Sequence, residues 1–96
     1  WLMPAKKDAF KWITGGSELI AVRVTNHPTV IRICDEFAGA IVSTSANLSG
    51  EPTPFTLTGV KQVFGDKVSV YLDESLGENR KPSKIVNAIT GQVIRN

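Results

Sequence analysis

One cysteine and one histidine are all that the 96 residues contain of either type. A lone Cys34 excludes an internal disulfide framework and any multi-cysteine zinc site. It falls inside an apolar helical pattern, where a small buried hydrophobe is the plain reading, and His27 stands seven residues away on another part of the helix. Catalysis by Cys34 is therefore set aside, and no metal ligands are expected in the sequence. His27, next to Pro28, reads as a cap or surface residue, because no Ser or Asp accompanies it at triad spacing.

Long hydrophobic runs are missing as well. None approaches the roughly 18 residues of a membrane span, and no basic leader with a long apolar core opens the sequence. Neither a transmembrane helix, nor a membrane partner, nor a signal peptide is expected, which makes the cytoplasm the default location. A dominant charge of one sign is absent too: eleven basic residues are spread among nine acidic ones for a net charge of +2. Such a balance suits contact with anions but lacks the clustered stripe of Lys and Arg on which nucleic-acid binding normally rests. There is no internal repeat and no low-complexity tract.

What remains, 42% hydrophobic and 21% charged, describes an ordinary soluble globular chain with a small core. It opens on Trp1 rather than Met, with Leu2, Met3 and Pro4 following. Residues 1–5 read as the tail of an apolar strand already under way, as though the chain were cut from something longer. Residues 6–16 read as a polar connection holding Phe10 and Trp12 and ending in Gly15 and Gly16. No Lys-Ser or Lys-Thr follows those glycines, so they do not form a phosphate-binding P-loop.

Residues 19–24 are nearly continuous apolar and β-branched, the pattern of a strand covered on both faces, with Arg23 as the one charge. Thr25, Asn26, His27 and Pro28 then predict a helix start in which Asn26 or His27 caps and Pro28 presets the first turn. Val30, Ile31, Ile33, Cys34 and Phe37 share one face of the helix that follows, expected to pack on a sheet, and Gly39 is the expected stop. Residues 40–42 predict a short buried strand. A second helix is expected from the Thr56 cap to Phe64, stopped by Gly65, and a further strand over 68–72. Residues 73–81 read as a polar loop, and Ile85-Val86 with Val93-Ile94 as a closing pair around Thr90-Gly91. This alternation predicts the α/β class, an open twisted mixed sheet with helices packed on it.

In such folds ligands gather beyond strand ends, which directs attention to residues 43–50, Ser43-Thr44-Ser45-Ala46-Asn47-Leu48-Ser49-Gly50. Ser43, Thr44, Ser45 and Asn47 offer hydroxyl or amide groups, with backbone N–H groups besides, a chemistry that suits an oxyanion such as phosphate. Ser, Asn and Gly also favour turns for local reasons, so a plain turn stands beside that reading. Alternate residues Ser43, Ser45 and Asn47 would face one side if the extended backbone continues past Val42, with Leu48 turned inward as an anchor. Arg23, in a strand expected to be buried, needs an anion, either an internal carboxylate from Asp35, Glu36 or Asp73 or a ligand's carboxylate or phosphate. Arg95 raises the same question against the alternative of a solvated chain end.

Residues 21–28, Ala-Val-Arg-Val-Thr-Asn-His-Pro, followed by the run at 43–52 ending Glu51-Pro52, resemble the YrdC-like family of threonylcarbamoyl-AMP synthases. Pro82-Ser83-Lys84-Ile85-Val86 and Val93-Ile94-Arg95 are similar to that family's last strand pair. The resemblance implies that residues 1–96 are the C-terminal part of a single domain whose N-terminal half is absent. It implies a reaction of L-threonine, bicarbonate and ATP, assisted by magnesium, that gives threonylcarbamoyl-AMP and pyrophosphate. It also implies that the product serves tRNA modification through a tRNA threonylcarbamoyl transferase complex, with contact to tRNA itself.

The family's Ser-x-Asn pair corresponds to Ser45 and Asn47, implied to be catalytic. Its Lys-x-Arg pair has no match in this sequence, which implies that the chain alone is inactive. By the same resemblance Arg23, Ser43 and Ser83 would hold threonine, and Ser45, Asn47, Thr53 and Arg95 would face ATP. Asn87 stands where the family often has Asp. Two other classes of function are compatible with the fold: an RNA-binding module, against which the dispersed charge argues, and a regulatory domain that uses the same pocket.

Overall fold

The computed structural model describes residues 1–74 and 81–96. The polar loop expected over 73–81 lies mostly outside the described residues. The chain divides into two compact units, Trp1–Gly39 with Gly77–Asn96, and Ala40–Leu76.

In the first unit, β1 (Leu2–Pro4) pairs antiparallel with β2 (Leu19–Ala21), with Leu2 opposite Ala21 and Pro4 opposite Leu19. Bonds from the Val22 N–H to the Trp1 carbonyl and from the Ala5 N–H to the Glu18 carbonyl, each 2.8 Å, extend the ladder by one step at either end. The strand expected over 19–24 is thus shorter. After the Val22 bond the chain makes no further ladder bond to a described residue, and residues 22–24 are exposed, Val24 at 92%. Between the two strands a single helical turn, α1 (Lys11–Thr14), replaces the expected irregular connection. Gly15 closes it in the left-handed region at φ 65°, its N–H reaching back to the Lys11 carbonyl.

The helix α2 (Pro28–Phe37) forms where the sequence predicts it, with Pro28 in the first turn. His27 takes the cap position, one of the two expected. The His27 side chain makes no capping bond; instead the Thr25 hydroxyl accepts the His27 N–H at 3.1 Å. At the other end Ala38, not Gly39, takes the left-handed place, at φ 61°. Val30, Ile33 and Cys34 are half-buried, whereas Ile31 and Phe37 remain exposed. The expected full packing of this face on a sheet is therefore not made. A ten-residue helix is about 15 Å long, while a three-residue strand spans only about 10 Å; the ladder is too short to cover it.

The predicted hairpin is present. β3 (Ile85–Val86) pairs antiparallel with β4 (Val93–Arg95), with a register irregularity between Ile85 and Val86. The turn is organised by Asn87, whose Oδ1 accepts the N–H groups of Ile89 and Thr90 at 2.9 and 3.0 Å. Only the acceptor oxygen is used, and an Asp would supply the same one. The Ala88 N–H donates to the Leu2 carbonyl at 2.9 Å, tying this hairpin to β1.

In the second unit, α3 (Leu57–Phe64) is capped as predicted by Thr56, whose hydroxyl accepts the Gly59 N–H at 3.0 Å. Leu57, Val60, Val63 and Phe64 form its half-buried side. A short 3-10 turn (Gly65–Lys67) follows, and the Tyr71 hydroxyl donates to the Gly65 carbonyl at 2.6 Å. Residues 40–42 and 68–72, expected as strands, are not strands. Apolar, β-branched segments become strands only when a neighbour takes up their backbone groups, and no described residue does so. The result is a mixed α/β chain of short antiparallel pairs and helices, in which no described residue is buried.

Candidate functional site

Four of the seven residues singled out from the sequence, Ser43, Ser45, Asn47 and Thr53, lie in one loop of the second unit. Residues 41–45 are non-helical and exposed, and the chain bends at Ala46 and Asn47. The hydroxyls of Ser43, Thr44 and Ser45 make no hydrogen bond to any described residue. They face water with their donors uncommitted, which is what a loop that receives an anion requires.

The Asn47 side chain behaves differently. Its amide nitrogen donates to the Leu48 carbonyl at 2.8 Å and to the Glu51 carbonyl at 2.9 Å, and its Oδ1 accepts the Thr53 hydroxyl at 3.1 Å. The Glu51 N–H in turn reaches the Leu48 carbonyl at 2.9 Å, and Gly50 takes φ 81°, the value that the third residue of a type II turn demands. Asn47 thus laces a tight turn to the segment beyond it. Leu48, expected to anchor the loop in a core, is 50% exposed. It instead lines an open groove of about 670 Å³ with Glu51, Thr53, Pro54, Gln62 and Val63. The reason is local: Asn47 holds the turn on its polar side, which leaves Leu48 to lie along the groove wall.

Gly59, on α3, was not legible as part of this region. A Cβ there would stand 3.0 Å from the Pro54 Cβ and 3.1 Å from the Thr56 hydroxyl oxygen. A glycine inside an otherwise apolar helical pattern is the signal that marks such a close approach.

The other three predicted residues belong to the first unit. Arg23 lies past the end of β2, exposed, and forms no ion pair or hydrogen bond with a described residue. The expectation of a buried guanidinium is corrected: β2 ends at Ala21, so Arg23 is solvated and needs no internal anion. Arg95, at the end of β4, donates from Nε and Nη2 to the Ser83 carbonyl at 3.1 and 2.8 Å. Ser83 and Arg95 are therefore brought together, while the Ser83 hydroxyl itself bonds no described residue. Among the described residues no three His, Cys, Asp or Glu side chains gather as a metal site. No helix of the described residues is long and apolar enough to cross a membrane.

The family model described as telomere recombination, covering Sua5, YciO and YrdC, matches residues 1–96. The chain belongs to the Sua5/YciO/YrdC family. Family members similar to it include a threonylcarbamoyl-AMP synthase of Pseudoalteromonas translucida, 52% identical over 99% of this chain and 51% of that protein. One of Acinetobacter baumannii is 47% identical over 99% of this chain and 50% of its own length. A third, of Coxiella burnetii, is 43% identical over 99% and 51%. The chain spans about half the length of these curated relatives of the Sua5/YciO/YrdC family.

Proposed function

We propose that this chain forms the C-terminal half of a threonylcarbamoyl-AMP synthase domain, whose open twisted mixed sheet is completed by an N-terminal half. The observation that carries this reading is the trio of uncommitted hydroxyls, Ser43, Thr44 and Ser45, beside a turn tied by Asn47. That is the run through which the chain resembles the synthases. That no described residue is fully buried supports the half-domain reading.

In the proposed reaction the threonine amine and bicarbonate form a carbamate with loss of water. A carbamate oxygen then attacks the α-phosphorus of ATP, the bridging bond to the β-phosphate breaks, and pyrophosphate leaves. Charge builds on the α-phosphate oxygens at that moment, and fixed donors aimed at them lower the barrier. On the nucleotide side Ser45 and Arg95 have donors to give, and Asn47 and Thr53 shape the same loop; Arg23, Ser43 and Ser83 belong to the threonine side. Three guanidinium N–H groups of Arg95 remain uncommitted beyond the two on Ser83.

Magnesium would arrive on the triphosphate, since that ion is usually held by phosphates with one or two carboxylates and the described residues gather no acidic cage. The product, a mixed anhydride, would pass in the cytoplasm to a tRNA threonylcarbamoyl transferase complex, with tRNA as the acceptor.

Pyrophosphate release tests this reading. The 96-residue chain, given ATP, threonine and bicarbonate, should release none, and addition of the N-terminal half should restore release dependent on both co-substrates. Release by the chain alone would overturn the half-domain reading. Silence of the reconstituted pair would overturn the synthase reading.

A further inference from the structure

Asn47 has the wrong geometry for a phosphate ligand. A phosphate needs donors, and both N–H groups of the Asn47 amide are already spent on the Leu48 and Glu51 carbonyls. The orientation of that amide is fixed by its surroundings, because two carbonyl oxygens can face only an NH₂ group. The amide oxygen is therefore the atom left for the Thr53 hydroxyl. Asn47 is thus spoken for on both sides, whereas Ser45, two residues earlier, has no partner among the described residues.

We propose that Asn47 is a positioning residue: it fastens the turn over residues 48–51 to Thr53, and through that fastening sets where Ser45 points. This rests on the synthase reading above and divides the labour within its Ser-x-Asn pair. Ser45 meets the nucleotide; Asn47 and Thr53 hold the backbone that presents it. The chain bends at residues 46–47 between the hydroxyl-bearing stretch and the tied turn, so releasing the turn frees the direction of Ser45.

The test is made in the complete enzyme, with one kinetic arm and one that does not depend on activity. Asn47→Ala and Thr53→Val should each lower kcat/KM by about tenfold, and the double variant should lose no more than either, because both remove one shared fastening. Thr53→Ser, which keeps the hydroxyl, should restore turnover. Hydrogen exchange at the Glu51 amide, whose bond closes the turn, should quicken in Asn47→Ala and in Thr53→Val but not in Thr53→Ser. Asn47→Asp, which sets a carboxylate oxygen against two carbonyls, should quicken it too.

Losses that add in the double variant, or a Glu51 amide that exchanges as slowly in Asn47→Ala as before, would make Asn47 a direct ligand and overturn the proposal. A loosened turn with unchanged kcat/KM would overturn it as well. Were the unsubstituted enzyme to release no pyrophosphate, the synthase reading would fall, and the exchange arm would still decide whether Asn47 holds the turn.

Discussion

Arg95 grips the carbonyl of Ser83 with two N–H groups, Nε at 3.1 Å and Nη2 at 2.8 Å, across twelve residues of sequence. The bond joins the end of β4 to the residues that lead into β3, so the hairpin is fastened at its open end as well as at its turn.

A forked grip of this kind cannot be kept by an ammonium, which is a point charge on a flexible stem. On the synthase reading, Arg95→Lys in the complete enzyme should therefore behave like Arg95→Ala, each raising the KM for ATP about tenfold and leaving the KM for threonine nearly unchanged. Steady-state kinetics with each substrate varied in turn decides it. A lysine variant with a wild-type KM would mean that charge alone matters.

For Arg23 the expected pattern is the reverse. It is exposed and has no internal partner among the described residues, so Arg23→Ala should move stability by no more than about 0.5 kcal/mol. On the synthase reading, loss of a charge-assisted contact to the threonine carboxylate should raise the KM for threonine by about ten- to a hundredfold. Thermal melts beside threonine titrations separate the two quantities. A lowered Tm with an unmoved KM would return Arg23 to a structural role.

Ser45 carries the most direct expectation. Its hydroxyl holds no described residue, so Ser45→Ala should fold as before, while on the synthase reading kcat/KM falls by about ten- to a thousandfold, the range for an oriented donor to developing phosphate charge. Wild-type turnover in this variant would remove the loop from the chemistry.

At Gly59 two effects oppose each other. Alanine is favoured over glycine in a helix by about 1 kcal/mol, but here the added Cβ would meet the Pro54 ring carbon at 3.0 Å. Pro54 is rigid and cannot give way cheaply, so Gly59→Ala should destabilise the complete enzyme by about 1–3 kcal/mol in urea unfolding. It should also displace the Thr53–Pro54 wall of the groove. A stabilised variant would show that Pro54 moves freely.

The helices and the hairpin were legible because their signals are local. Pro28, the Thr56 cap and the spacing of Val60, Val63 and Phe64 specify α2 and α3 with little help from elsewhere. The Thr90-Gly91 turn specifies the β3–β4 pair, with Gly91 at φ 74°. Strands depend on neighbours, so the apolar stretches at 40–42 and 68–72 could be recognised as β-prone but not as paired. Arg23 was misread for the same reason, since its burial rested on a strand that ends two residues earlier. In the loop the uncommitted hydroxyls followed from composition, but the Asn47–Thr53 bond depends on how the chain returns after Gly50, which no residue pattern encodes. The left-handed Ala38 had no sequence signal; Gly39 beside it was the expected choice.

That no described side chain is fully withdrawn from water has a calorimetric consequence. Unfolding a domain normally raises the heat capacity by about 12–15 cal/mol/K per residue, chiefly because shielded apolar groups become hydrated. Here many of the large apolar groups, Trp12, Phe37 and Val42 among them, are exposed from the outset, so the chain alone should melt over a broad interval with a shallow stability curve. On the half-domain reading, the missing heat-capacity change would appear at association instead, as a large negative value when the complementary half covers Phe37, Val42 and their neighbours.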